Sequence, residues 1–210
     1  MKLGKLCLVS LALMTILFFC TKAQAAEGGV PVLLYHHILK KAENPFPSNS
    51  NIVSYEAFSE QMAYLYNQGY HTATLSELAS YLNGAITLPP KTVVITFDDG
   101  MKTNYLYAYP VLKKYGFKAG NFLITNRISE TPVPFNPTVL FQPLSWPEVN
   151  GMKDVFQYGS HTHGLHNLIN GTSALISGSD QIILQDLETS RGLLNTDFLP
   201  IHLAPIIIEP

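Results

Sequence analysis

Asp98 and Asp99 stand side by side at the end of T-V-V-I-T-F-D-D-G, residues 92–100. Two adjacent carboxylates repel each other. They suit either a solvated turn, where Asp and Gly are favoured for local hydrogen bonding and φ > 0, or the neighbourhood of a cation. A second cluster, G-S-H-T-H-G-L-H at 159–166, places His161, His163 and His166 within six residues. Two neutral imidazoles and one carboxylate make a three-ligand site with open positions, the form that a catalytic divalent metal takes. Such an ion would offset the repulsion between the aspartates. Neighbouring residues on a regular strand point to opposite faces, so Asp98 and Asp99 share a site only if the pleat breaks there, which Gly100 permits. One aspartate can then bind metal while the other stays off it as a base.

Both clusters follow short apolar runs, and the elements around them alternate. V-P-V-L-L-Y (30–35) reads as a buried strand. Ser54 can cap a helix that carries Phe58, Met62 and Leu65 on one face and ends at Gly69. Thr74-Leu75-Ser76-Glu77 fits a capping box opening a second helix through Leu78 and Leu82 to Gly84. After the strand 92–97 comes a helical stretch with Ala108, Val111, Leu112 and Tyr115, closed by Gly116, then a strand over 118–124. A Pro-rich loop occupies 130–143. Ser145-Trp146-Pro147-Glu148 opens a further capped helix, V-F-Q-Y-G-S (155–160) is a strand, and Asp180 to Leu194 a last helix. Repeated βα units predict an α/β fold with a parallel sheet or a (β/α) barrel. In either, reactive groups lie just past the C-terminal ends of the strands, where both clusters fall.

Lys2 and Lys5 precede an apolar run from Leu6 to Cys20, and Ala23-Gln24-Ala25 supplies small residues for cleavage. This is the pattern of a secretory signal peptide over 1–25. The run is about 15 residues, short of the roughly 20 that a spanning helix needs. Cleavage would remove Cys7 and Cys20, the only cysteines in the chain. Any metal must then be held by His, Asp or Glu. The net charge of the whole chain is −2; without Lys2, Lys5 and Lys22, ten bases face fifteen acids, a net charge of −5. An acidic domain of this kind argues against a nucleic-acid partner.

T-F-D-D-G together with S-H-T-H-G-L-H resembles the polysaccharide deacetylase superfamily, carbohydrate esterase family 4. The five-residue separation of His161 and His166, with V-P-V-L-L-Y-H-H-I near the mature N-terminus, resembles its poly-β-1,6-N-acetylglucosamine deacetylase branch. F-S-E-Q-M-A-Y-L-Y-N-Q-G-Y and L-S-W-P-E-V resemble connecting segments of the same family. The resemblance implies a distorted (β/α) barrel over 26–197, and Asp99, His161 and His166 as ligands of zinc or a comparable divalent ion. It implies Asp98 as the general base toward the attacking water and His36 as the acid that protonates the departing amine, with His37 on the opposite face. His163 is expected beside the metal but off it, and Trp146 either stacks on sugar or belongs to the core; both are candidate substrate-binding residues. The implied partner is an acetylated polysaccharide, and the implied location is outside the cell or at its envelope. Peptidoglycan, chitin oligomers and acetylated xylan remain alternative substrates, and a non-catalytic sugar-binding relic is the alternative outside enzyme chemistry.

The family follows its histidine motif with a strand reading F-A-Y-P-[FY]-G-x-Y, which this sequence lacks. The tail instead reads D-F-L-P-I-H-L-A-P-I-I-I-E-P. Joining the last base of each codon from Phe198 onward to the first two of the next permits F-A-Y-P-F-G-x-Y. The expectation is a catalytic domain incomplete at its C-terminus, with residues 198–210 read out of frame.

Overall fold

The computed structural model describes residues 29–194. The leader expected over 1–25 and the out-of-frame tail expected over 198–210 lie outside the described residues.

The described chain runs β1 (Val32–Tyr35), β2 (His37–Leu39), β3 (Ile52–Ser54), α1 (Tyr55–Asn67), β4 (His71–Thr72), α2 (Leu75–Leu82) and β5 (Thr92–Phe97). It continues through α3 (Tyr109–Tyr115), β6 (Ala119–Leu123), α4 (Trp146–Gly151), β7 (Phe156–Ser160), β8 (Leu168–Ile169), β9 (Thr172–Ser173), α5 (Ala174–Ser177) and α6 (Asp180–Leu194). The main sheet is parallel, in the order β1-β5-β6-β7, and β4 pairs with the first two residues of β5. The expected α/β architecture is therefore present, but among the described residues the sheet does not close into a barrel. β2 and β3 form a separate parallel pair, and β8 and β9 an antiparallel one.

β5 is buried along its whole length because both of its faces are covered. Alternation assigns Val93, Ile95 and Phe97 to the larger core and Val94 to the smaller one. The larger core joins these to Phe58, Met62 and Leu65 of α1 and to Val111 and Leu112 of α3. Tyr35, Phe58, Phe97 and Phe156 meet there in a chain of ring contacts with centroids 5.1–5.9 Å apart. The smaller core packs Leu75, Ala73, Leu88 and Phe122 around Val94.

Local rules account for the helix starts. Ser54 Oγ accepts from the Ala57 N–H at 3.1 Å, and Thr74 and Glu77 exchange the expected capping-box bonds. Glu148 Oε2 accepts from both the N–H and the hydroxyl of Ser145 at the head of α4. One expectation is corrected. β1 is an edge strand, with Val32 47% exposed and only Tyr35 buried, because nothing described covers its outer side. α2, as expected in its extent, buries Leu75 and Ala79, packs Leu78 against the smaller core and leaves Leu82 exposed; Leu75 lies over Gly120, where a side chain on β6 would collide with it. The helical stretch before α3 also begins earlier than expected, as one π-helical turn over Asn104–Ala108.

Candidate active site

The end of β5 does what its sequence requires. Asp99 and Gly100 both adopt left-handed backbone conformations, with φ of 68° and 69°. Two such residues in succession break the pleat immediately after Asp98. Gly100 is needed on two counts: its φ, and a Cβ there would stand 2.8 Å from Leu123 Cδ2. The Asp98 N–H still bonds the Tyr35 carbonyl at 3.0 Å, extending the β1–β5 ladder by one step. Tyr35 and Phe97 are partners in register. His36 and Asp98 are therefore the next residues on neighbouring parallel strands, at the same end of the sheet. His36 is also the single residue between β1 and β2.

β7 delivers the histidines to the same end. The His161 N–H bonds the Leu123 carbonyl at 2.9 Å, continuing the β6–β7 ladder. Thr162 then turns the chain with φ 72°. The result brings Asp99 Oδ1 to 3.6 Å from His161 Nε2 and 3.5 Å from His166 Nε2. One ligand atom from each of the three residues lies within 4.8 Å of the others. The two imidazole centroids are 4.4 Å apart.

Asp99 Oδ1 decides whether a metal fits. It is buried and accepts no hydrogen bond, although two ring nitrogens face it just beyond hydrogen-bonding range. Burial, reinforced by the neighbouring His166, pushes the His161 imidazole down to about 4 against the opposing pull of Asp99. His161 is thus neutral near pH 7, with a lone pair to donate. Ligands about 2.0–2.2 Å from a tetrahedral zinc ion stand roughly 3.3–3.6 Å apart. A carboxylate oxygen and imidazole nitrogens at 3.5 and 3.6 Å, with no hydrogen bond between them, fit that requirement.

The remaining candidates separate. His163 lies outside the metal-capable group; its Nδ1 is 3.0 Å from Thr125 Oγ1. Trp146 is half-buried against the larger core and bonds the Ser129 carbonyl through its backbone N–H. Core packing accounts for its position. His37 is 4% exposed in the β2 layer, and burial lowers it to about 4.

Three residues that the sequence did not single out also shape the site. Arg127 donates to the His166 carbonyl at 3.2 Å, and its guanidinium lies 4.5 Å from the centroid of the Phe141 ring. Thr125 holds His163. Asp186 on α6 receives the N–H groups of His163 and Gly164. Only Asp186 carried a signal, a carboxylate on the inward stripe of an amphipathic helix.

The profile of the polysaccharide deacetylase family matches residues 85–196, more than half of the chain. The chain belongs to the polysaccharide deacetylase family. A poly-β-1,6-N-acetyl-D-glucosamine N-deacetylase of Staphylococcus aureus is 30% identical over 192 residues, covering 84% of this chain and 63% of the relative. The chain therefore spans less than two thirds of the length of that relative. Among solved structures, IcaB from Ammonifex degensii superposes with a TM-score of 0.66 at 29% identity, covering 80% of this chain and 68% of the other. The Streptococcus pyogenes deacetylase PplD, solved with acetate, gives a TM-score of 0.62 at 27% identity, covering 79% and 67%. Family membership accounts for the parallel sheet and for the two motifs meeting at one end of it.

Proposed function

We propose that this chain is a secreted or envelope-associated hydrolase that removes N-acetyl groups from a poly-β-1,6-linked N-acetylglucosamine polysaccharide. The observation that carries the reading is the convergence of Asp99 with His161 and His166, next to Asp98 and His36 on adjoining strand ends. A divalent ion held by Asp99, His161 and His166, zinc or one like it, would act as a Lewis acid and make water a stronger nucleophile at neutral pH. Asp98, buried and next to a ligand in the chain, is placed to take a proton as the water oxygen bonds to the acetyl carbon. His36, at the strand end next to Asp98, is placed to protonate the nitrogen as the carbon–nitrogen bond breaks. Acetate and a free amine result. The substrate assignment draws on the names of the relatives, on the spacing of His161 and His166, and on His36. Secretion draws on residues 1–25 alone.

Acetate release from β-1,6-linked N-acetylglucosamine oligomers, chitin oligomers and acetylated xylan tests the reading. The β-1,6 oligomers should be the best substrate, with activity lost to a chelator and restored by Zn²⁺. Preference for xylan would overturn the substrate and leave the reaction class standing. No acetate from any of them with the metal-loaded chain would overturn the function.

A further inference from the structure

We infer that Asp186 is a positioning residue, which holds the 161–166 loop in its ligating shape from outside the ligand set. The inference rests on the metal reading above and adds a residue and an element to it. The loop must deliver His161 and His166 to one carboxylate oxygen while passing through Thr162 in a left-handed conformation, which non-glycine residues adopt only when held there. Its backbone is held at nearly every step. The N–H of His161 bonds β6 and that of Thr162 bonds Ser160 Oγ. The carbonyls of Thr162 and His163 accept from Thr125 and Asn126, and that of His166 from Arg127.

The N–H groups of His163 and Gly164 both go to Asp186. Oδ1 accepts the first at 2.7 Å and Oδ2 the second at 2.6 Å. Charge-assisted bonds of this length are stronger than neutral ones. They draw two consecutive amides toward one point at the crest of the turn. Gly164 also lets Asn126 approach, since a Cβ there would lie 3.2 Å from Asn126 Nδ2. One turn along the same helix, Ser190 is fully buried and its Oγ accepts from the Ser160 hydroxyl at 2.7 Å. The inward stripe of α6, Ile183, Asp186, Leu187, Ser190 and Leu194, thus places polar groups on the histidine loop as well as apolar ones on the fold. The outward residues of α6 take no part.

The full chain with Asp186→Ala should bind Zn²⁺ about 10–100-fold more weakly than wild type, the range found when groups that orient metal ligands are removed. Zn²⁺ affinity would be read by competition with a chromophoric chelator. Hydrogen exchange of the metal-free chain supplies a second readout: the 163 and 164 amides should exchange faster in the variant. Asp186→Asn, which keeps the shape and one acceptor oxygen, should fall between the two. It also stands in if the alanine variant does not fold. Glu188→Ala, on the exposed side of α6, should change neither readout. Faster exchange with unchanged Zn²⁺ affinity would overturn the inference, as would no change in either. A wild-type chain that takes up no Zn²⁺ would overturn the metal reading itself, before any variant is compared.

Discussion

Asp98 and Asp99 differ by one position, and the break in the pleat gives them different surroundings. Asp99 presents a buried oxygen to two imidazoles, whereas Asp98 continues the strand ladder by its backbone. Asp99→Ala or His161→Ala removes one of three ligands and should leave the purified protein without stoichiometric metal. Asp98→Asn should keep the metal and lose about 10²–10⁴-fold in turnover, the usual worth of a general base. Metal analysis alongside acetate release separates the roles, and equal metal loss in all three variants would refute the split. His161 illustrates how a ligand is kept ready. Burial outweighs the nearby carboxylate and keeps the ring neutral, which no inspection of spacing could predict.

At the scale of elements, α4 matters more than its six residues suggest. Lys102 and Glu148 form a buried ion pair at 2.5 Å, with side chains 5% and 8% exposed. The same Glu148 caps the helix through Ser145. Lys102 lies two residues past Gly100, and the Leu144 N–H bonds the Gly100 carbonyl at 2.9 Å. The pair therefore ties the head of α4 to the turn that carries the aspartates. Glu148→Ala would leave a buried lysine charge unpartnered and should destabilise the fold by about 3–5 kcal/mol, measured by urea unfolding. Replacing both residues by apolar ones of similar size should cost much less. The helix starts at Ser54, Thr74 and Ser145 were legible in the sequence because caps are local chemistry. The buried face of α2 was not, because it depends on Gly120 leaving room for Leu75, forty-five positions along the chain.

For the whole molecule, pH should act through buried histidines. His37 is buried, its Nδ1 has no hydrogen-bond partner, and its affinity for a proton falls from the ordinary 6.5 to about 4. Between those values the unfolded chain takes up a proton that the folded chain refuses. Its contribution to stability is therefore fully present above about pH 6.5 and is lost as pH falls toward 4. His161 acts in the same window and with the same sign. His37→Gln should make the urea midpoint fall less steeply between pH 6.5 and 4, and an unchanged slope would exclude His37 as a contributor. The same scale governs the sheet. β1 and β7 end it among the described residues, so the expected barrel is present as an open parallel sheet.

The sequence by itself determined the chemistry available. It supplied one pair of aspartates and three clustered histidines, each group placed after an apolar strand, and the alternation of strands and helices made parallel packing the economical solution. Those are properties of residue type and short-range order. Tertiary structure decided which of these groups meet. Parallel register put His36 beside Asp98, and the left-handed turn at Asp99 aimed its carboxylate at His161 and His166 while Thr125 drew His163 aside. It also enlisted Asp186, twenty residues beyond the last ligand, because only the docking of α6 onto β7 brings that carboxylate to the loop. Contacts between residues distant in the chain depend on packing, and packing is not written in any local pattern.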